Sequence, residues 1–162
     1  MAEQHFKTRA RVKALGEVFT QPCEVTGMLD LIPADEYSNP LSTWLEPACG
    51  TGNFLLEIVK RKLAHATGEE PTYALMCISA LYGIDISLEN VQESRLRLER
   101  YLGLAIASDE AFLRAARDIL THNIIKGDTI HGAGQILIWE YHWQGSSYTR
   151  TSQTLQSIAA KA

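Results

Sequence analysis

The stretch Trp44–Phe54, WLEPACGTGNF, constrains the fold more than any other part of the chain, because a strand, a glycine turn and a helix start follow one another directly. The strand ends at Glu46, the turn contains Gly50 and Gly52, and the helix begins at Asn53. Glycine lets the backbone turn sharply and approach a ligand closely, and the free N–H groups of a helix start attract polar or anionic groups. The stretch predicts an α/β fold with a nucleotide-type ligand at the turn. The simpler alternative is an ordinary strand-to-helix turn.

Two later apolar strands also carry an acidic residue at their ends. One spans 81–86 and contains Asp85, and the other spans 122–128 and ends in Asp128. In an open parallel sheet the carboxyl ends of the strands meet at the edge where ligands bind, so these carboxylates and Glu46 are expected to lie together. A carboxylate at this edge can accept from both ribose hydroxyls of an adenosine. The alternatives are a helix N-terminal acid for Asp85, with Ser87 as the cap, and a strand-ending turn aspartate for Asp128.

The remaining elements follow from hydrophobic periodicity and from the positions of Gly and Pro. Predicted helices are 3–14, 22–33, 53–66, 87–102 and 109–120, the last with Ser108 as N-cap. The apolar segment 72–80 fits either a helix or a strand, and a short helix is favoured. A polar connector occupies 34–42, a further strand 135–143, and the polar segment 145–162 is expected to form a short edge strand and a weak helix. The fold class is therefore three-layer α/β, with a mostly parallel, Rossmann-like sheet of about four or five strands flanked by helices.

Composition and charge limit the possible functions. The 162 residues, 46% of them hydrophobic, suit a single domain spanning 1–162. No apolar run has the length of a membrane span or the form of a signal peptide. Three widely separated cysteines predict neither a disulfide framework nor a metal site, and a reducing cytoplasm is the expected location. The net charge of −4 has the wrong sign for a domain that grips DNA phosphates by itself.

Four segments resemble motifs of one family, the adenine-N6 DNA methyltransferases. Residues 46–54 resemble its S-adenosylmethionine-binding motif I, residues 82–86 (YGIDI) its motif II and residues 123–128 (NIIKGD) its motif III. Residues 16–22 (GEVFTQP) resemble motif X, although Gln21 separates the threonine from the proline, and this order of motifs is γ-like. The resemblance covers about residues 14–130. It divides the domain into a helical segment 1–33 with motif X, a cofactor-binding core 43–130 and the polar tail 145–162.

The resemblance implies a binding site for S-adenosyl-L-methionine. In the family pattern, Thr20 and the loop 46–54 hold the methionine end of this cofactor, Asp85 its ribose, and Ile86 and Asp128 its adenine. The implied cofactor-binding residues are Thr20, Glu46, Pro47, Ala48, Cys49, Gly50, Gly52, Asn53, Phe54, Asp85, Ile86 and Asp128. No metal site is implied.

The family's motif IV, Asp/Asn-Pro-Pro-Tyr/Phe, receives a flipped-out adenine, and it occurs nowhere in the 162 residues. The nearest substitute is Glu140-Tyr141, an acid followed by an aromatic residue, which is the candidate catalytic pair. The alternative is a plain strand whose side chains alternate between two faces. On that strand Trp139, Tyr141 and Trp143 would oppose Ile138, Glu140 and His142.

Two functions of different classes follow. The first is an S-adenosylmethionine-dependent DNA methyltransferase of the adenine-N6 type, a minimal or split enzyme of a restriction–modification system or phage. It would reach DNA through a partner subunit that carries the base-binding motif. The alternative is a non-catalytic S-adenosylmethionine-binding module, a regulatory or decoy subunit of such a system. A third option is methylation of a small molecule or a protein. An oligomer is compatible with each, and no membrane contact is implied.

Overall fold

Residues 20–67, 71–106 and 109–160 are described by a computed structural model of the chain. The predicted helix 3–14, most of the motif X segment and the predicted cap Ser108 lie outside the described residues. The helices within these ranges are α1 (Pro22–Leu29), α2 (Asp35–Ser38), α3 (Asn53–Leu63), α4 (Pro71–Ser79), α5 (Leu88–Ala105), α6 (Glu110–Asn123) and α7 (Leu155–Ala159). The strands are β1 (Trp44–Glu46), β2 (Leu81–Asp85), β3 (Ile124–Lys126), β4 (Leu137–Gln144) and β5 (Ser147–Thr154).

Three of these strands form a small parallel sheet in the order β1-β2-β3, with β2 in the centre. Trp44 pairs with Leu81 in the first ladder, and Gly83 pairs with Ile124 in the second. Helices connect the parallel strands, as such crossovers require. This mixture of helices with a parallel sheet is consistent with the predicted α/β class. The expectation of a larger sheet is wrong within the described residues, because β4 does not join it.

β4 instead pairs with β5 in an antiparallel hairpin. Gly145 lies in the two-residue turn between Gln144 and Ser147 and has a φ of +61°, a conformation that favours glycine. Strands that are neighbours along the chain close such a turn at little cost in loop entropy. The tail therefore supplies the partner strand of β4, eight residues long, where a short edge strand was expected, and the expected weak helix is present as α7.

The side chains of β2 alternate between two apolar clusters, as the pleat of a strand requires. Leu81 lies in the larger cluster, which contains buried residues of α1, α3, α4, α5 and α6. Tyr82 and Ile84 lie in the smaller cluster with Ile136 and Ile138, and α7 packs against them. The second face of the sheet is thus covered by the segment before the hairpin, by β4 and by one short helix. This corrects the expectation of a helical layer on both faces.

Several predicted boundaries also change. α1 ends at Leu29 instead of continuing to Pro33, and the single turn α2 lies in the predicted connector. The N-cap of α6 is Asp109, whose carboxylate accepts from the Phe112 N–H at 2.8 Å, so the helix begins at Glu110, one residue later than predicted. α6 continues to Asn123, which confines β3 to three residues, 124–126.

A buried lysine, Lys62, holds the chain that enters β1. Its side chain has no solvent exposure, and its Nζ donates to the carbonyls of Pro40 at 2.9 Å and Ser42 at 2.7 Å. Burial lowers the pKa of Lys62 from 10.5 to about 8, although the Glu36 charge acts in the opposite direction. In the unfolded chain the ordinary pKa returns, so between these two values the unfolded protein binds more protons than the folded one.

This linkage predicts that stability rises with pH in that window. The free energy of unfolding of the wild type is expected to increase between pH 8 and pH 9.5 by about 1 to 2 kcal/mol more than that of Lys62→Met. Urea titrations of both proteins at the two pH values measure the difference, and the comparison cancels other titrating groups. Equal slopes for the two proteins would show that Lys62 is not the group that titrates.

Candidate functional site

The glycine turn has the predicted form and lies directly after β1. The Cys49 N–H donates to the Ile84 carbonyl at 2.9 Å, and the Gly52 N–H donates to the Cys49 carbonyl at 2.9 Å. Gly50 and Gly52 have φ values of +53° and +83°, the region in which glycine is strongly preferred. Gly52 is also the N-cap of α3 and supplies no capping side chain. The first-turn N–H groups of α3 therefore have no side-chain acceptor from the cap residue.

Asp85 ties this turn to the end of β2. Its Oδ2 accepts from the Gly50 N–H at 2.9 Å, and its Oδ1 accepts from the Ser87 N–H at 2.8 Å and the Asn90 side-chain amide at 3.1 Å. Ser87 is the N-cap of α5, as expected, so Asp85 acts at a helix start and at the glycine turn simultaneously. These three bonds use most of the roughly four acceptor positions that a carboxylate has.

Glu46 ends β1 with a half-buried carboxyl group. Its Oε1 accepts weakly from the Ala48 N–H at 3.3 Å, and Oε2 has no hydrogen-bond partner among the described residues. Burial raises the pKa of Glu46. Burial also raises the pKa of the Cys49 thiol to about 12, and the Asp85 and Glu46 carboxylates act in the same direction. Cys49 is therefore a neutral thiol at pH 7 and not a nucleophile.

The loop after β3 reaches the same edge of the sheet. The Gly127 N–H donates to the Asp85 carbonyl at 3.0 Å, and the Thr129 hydroxyl donates to the Pro47 carbonyl at 3.3 Å. The chain segments that follow the three parallel strands therefore meet at one edge. This is the juxtaposition that the three acidic strand ends predict.

Asp128 itself closes a turn. Its Oδ1 accepts from the N–H groups of Ile130 at 2.9 Å and His131 at 3.0 Å, and its Oδ2 lies 3.1 Å from the His131 ring Nδ1. The His131 backbone N–H and then its ring lower the pKa of Asp128. The turn that was the alternative interpretation of this residue is therefore present, and Asp128 lies beyond the end of β3, which is Lys126.

The other predicted cofactor residues differ in their surroundings. Pro47 and Ala48 are exposed in the turn, and Ile86 has 54% of its surface exposed just after β2. Phe54 is partly buried and packs against the larger apolar cluster. Thr20 lies beside the turn, because its carbonyl accepts from the Asn53 side-chain amide at 3.1 Å.

Two glycines of the site have a packing role that sequence reasoning missed. A Cβ on Gly83 would lie 2.6 Å from Leu55 Cδ1 and 3.1 Å from Cys49 Sγ, so a larger residue here would require the side chains of α3 and the turn to move away from β2. A Cβ on Gly127 would lie 2.8 Å from Ile136 Cδ1. A glycine inside a strand often marks such a close approach, and this was the signal available for Gly83.

The structure separates Glu140 and Tyr141. Glu140 is exposed, whereas Tyr141 is partly buried on the opposite face of β4, with its ring 5.1 Å from that of Tyr148. Burial raises the pKa of Tyr141 to about 12. The face of Tyr141 is the one that carries Trp139 and Trp143, as the alternating-strand interpretation expects.

β4 also runs away from the edge that holds the glycine turn. The Tyr82 hydroxyl donates to the Trp139 carbonyl at 2.6 Å, and further along β4 the Trp143 indole N–H donates to the Ser79 hydroxyl at 3.0 Å. Ser79 precedes β2, whereas Asp85 ends it. The hairpin therefore extends toward the amino end of β2, and no described contact joins the pair Glu140-Tyr141 to the acids of the turn.

The described residues contain no group of three or more His, Cys, Asp or Glu side chains that could hold a metal ion. None of the helices in residues 20–67, 71–106 and 109–160 combines the length and the apolar character needed to cross a membrane.

Over 105 residues the chain is 36% identical to the type II methyltransferase M.VspI of Vibrio sp. (strain 343). This similarity supports a methyltransferase relationship. The match covers 63% of this chain and 22% of that protein, so the chain corresponds to less than a quarter of the length of its relative. No family model matches the chain, and no solved structure matches it significantly.

Proposed function

We propose that this methyltransferase-like chain binds S-adenosylmethionine and forms the cofactor-binding part of a DNA methyltransferase of the adenine-N6 type. The observation that carries the proposal is the turn Cys49–Asn53. This turn is anchored by Asp85 at the common edge of β1 and β2, in a chain that is similar to a type II methyltransferase. The residues that receive the target base are proposed to lie on a partner subunit.

The chemistry of the turn fits this cofactor. A Cβ on Gly50 would meet no atom within 4 Å, so open space lies beside the turn. Oε2 of Glu46, which has no hydrogen-bond partner in the described part of the chain, can accept from an ammonium group, and the N–H groups at the start of α3 suit a carboxylate. Asp85 retains an acceptor position for a ribose hydroxyl, and the exposed Ile86 offers an apolar surface for an aromatic ring.

Bound S-adenosylmethionine supplies a methyl group on a positively charged sulfur, which makes the thioether a good leaving group for an attacking amine. The residues of this chain contribute position rather than covalent chemistry. Glu46 and the turn orient the methionine end, and Asp85 fixes the ribose. Asp128 is proposed to accept from the exocyclic amine of the adenine ring. Its carboxylate already accepts from the Ile130 and His131 N–H groups, so the adenine amine would share it with these backbone donors.

Calorimetric titration of the purified protein with S-adenosylmethionine and S-adenosylhomocysteine tests the cofactor site. Micromolar binding is the expected result, and no binding at millimolar ligand would overturn the proposal.

Affinity purification then tests the partner: a split enzyme should retain a second chain with Asp/Asn-Pro-Pro-Tyr, and the pair should transfer a labelled methyl group to DNA.

A second candidate function is a non-catalytic regulatory or decoy module with the same cofactor site. The net charge of −4 and the lack of Asp/Asn-Pro-Pro-Tyr/Phe in the 162 residues favour it. Cofactor binding without a retained second chain, and without methyl transfer to DNA when a subunit that carries Asp/Asn-Pro-Pro-Tyr is added, would support this candidate over the first.

The position of β4 gives a prediction about Glu140. Glu140→Gln is expected to leave the affinity for S-adenosylmethionine within about twofold of the wild type, because an exposed carboxylate far from a site contributes little through solvent. The same calorimetric titration measures it. A large loss of affinity would mean that this end of the hairpin belongs to the cofactor pocket.

A further inference from the structure

We propose that Arg97 of α5, which lies outside every segment that resembles a methyltransferase motif, is the positioning residue of the glycine turn and, through Asn53, of Thr20. The structural part of this inference concerns the chain alone. Its consequence for ligand affinity rests on the proposed function.

One nitrogen of the Arg97 guanidinium makes the contacts that carry the inference. Nη1 lies 2.6 Å from the Thr51 carbonyl, which is in the middle of the turn, and 2.8 Å from Asn53 Oδ1. It also lies 3.3 Å from the Thr51 hydroxyl. A guanidinium Nη carries two hydrogens and accepts none, so the two short contacts satisfy it completely. The turn is thus held from α5 as well as from Asp85.

Asn53 extends this contact to the segment before α1. Its Oδ1 accepts from Arg97 while its Nδ2 donates to the Thr20 carbonyl at 3.1 Å. Because Arg97 can only donate and a carbonyl can only accept, the two contacts define the orientation of the amide. Arg97, Asn53 and Thr20 therefore form a chain of hydrogen bonds from α5, across the start of α3, to the segment that resembles motif X.

The charge of Arg97 has few other partners. The side chain is partly buried, none of the described carboxylates forms an ion pair with it, and burial lowers the pKa of its guanidinium. A guanidinium nevertheless stays charged at neutral pH, and charged hydrogen bonds are stronger than neutral ones. The contacts to Thr51 and Asn53, together with the charge of Glu93, accordingly compensate for the burial of Arg97.

The neighbouring Arg95 offers a matched control on the same helix. It is also partly buried, and its Nε and Nη2 donate to the carbonyls of Ile124 at 2.7 Å and Thr121 at 2.9 Å. These acceptors lie at the junction of α6 and β3, away from the turn. Methionine retains much of the apolar stem of arginine without its hydrogen-bond donors. Arg97→Met therefore removes the hydrogen bonds to the turn, and Arg95→Met removes those to the junction of α6 and β3.

Amide hydrogen exchange of the ligand-free proteins tests the structural part. The amides of Gly50, Gly52 and Leu56 donate to Asp85 Oδ2, the Cys49 carbonyl and the Gly52 carbonyl, so their exchange reports opening of the turn. Arg97→Met is expected to raise their exchange about tenfold or more, whereas Arg95→Met should leave these amides unchanged. Unchanged exchange in Arg97→Met, or an equal rise in Arg95→Met, would overturn the inference.

A second variant covers the case in which Arg97→Met fails to fold. Asn53→Asp keeps an acceptor for Arg97 and removes the donor to Thr20. It is expected to raise exchange at Glu24 and Val25, whose amides donate to the Gln21 carbonyl at 3.0 Å, without raising exchange at Gly52. If exchange rises at Gly52 as well as at Glu24 and Val25, or rises at none of these amides, the hydrogen bonds of Asn53 do not link Arg97 to the segment before α1.

Ligand selectivity tests the functional consequence. Arg97→Met is expected to weaken S-adenosylmethionine binding about tenfold or more but 5′-methylthioadenosine binding by less than about twofold, because the latter lacks the amino-acid end that the turn holds. General destabilisation would weaken both equally, which would contradict a positioning role. If the wild type binds neither ligand, the proposed function fails, and the exchange experiment still decides the role of Arg97.

Discussion

Gly52→Ala is expected to lower the free energy of unfolding by about 2 to 5 kcal/mol, the sum of a backbone cost and a steric cost. Gly52 has a φ of +83°, and a residue with a Cβ in the left-handed region costs about 1 to 2 kcal/mol. The new Cβ would also overlap the Ser94 hydroxyl and lie 3.0 Å from Ser94 Cβ, and overpacking a rigid core adds about 1 to 3 kcal/mol. Urea unfolding monitored by circular dichroism measures the change.

The turn itself provides the matched control. Gly50 has a φ of +53°, but a Cβ there would meet nothing within 4 Å, so Gly50→Ala should lose only the backbone part, about 1 to 2 kcal/mol. Ser94 is fully buried and its hydroxyl has no partner among the described residues, so Ser94→Ala should be nearly neutral alone. Combined with Gly52→Ala, it should recover part of the steric cost. Equal losses at both glycines would show that crowding against Ser94 is not the cause.

Asp85→Ala is expected to weaken S-adenosylmethionine binding by about 1.5 to 3 kcal/mol, or roughly 10- to 150-fold. Two effects contribute. The carboxylate is proposed to accept from the ribose, and it anchors the Gly50 N–H at 2.9 Å and thereby the shape of the turn. Calorimetric titration measures the affinity, and an unchanged value would show that the ribose does not lie at Asp85.

Two comparisons separate these effects from a loss of stability. Asp109→Ala removes another aspartate that accepts at a helix start, and it should cost about 1 kcal/mol of stability without changing affinity. An analogue of the cofactor without the ribose hydroxyls should lose less affinity in Asp85→Ala than the cofactor itself does. If both ligands lose affinity equally, Asp85 acts through the turn alone.

Much of the local structure could be predicted because its determinants are neighbours in the chain. The apolar residues before Glu46, the glycines at 50 and 52 and the periodic face after Asn53 encode a strand, a turn and a helix within eleven letters. The strand ending at Asp85 and the helix capped by Ser87 were predictable for the same reason. Parallel pairing then brings the strand ends to one edge, as the acids suggested.

The partner of β4 could not be predicted in this way. An alternating pattern over 135–143 specifies a strand with two different faces but not the strand with which it pairs. Residues 147–154 supply that partner, and the hydrogen bonds from Tyr82 and Trp143 orient the hairpin toward the amino end of β2. The expected sheet of about four or five strands is wrong within the described residues for that reason, because the strand over 135–143 pairs in the hairpin instead of extending the parallel sheet.

The sequence by itself determined the strand–turn–helix unit, the positions of Asp85 and Asp128 near strand ends, and the glycines that such a turn requires. Only the tertiary structure decided that Asp85 anchors Gly50, that Asp128 closes its own turn, and that Arg97 reaches Thr51 from another helix. Helix and turn signals depend on residues a few positions apart, so they can be recognised in a single amino-acid sequence. The contact of Arg97 with Thr51 joins residues 46 positions apart, and it exists because the packing of α5 against α3 places them side by side.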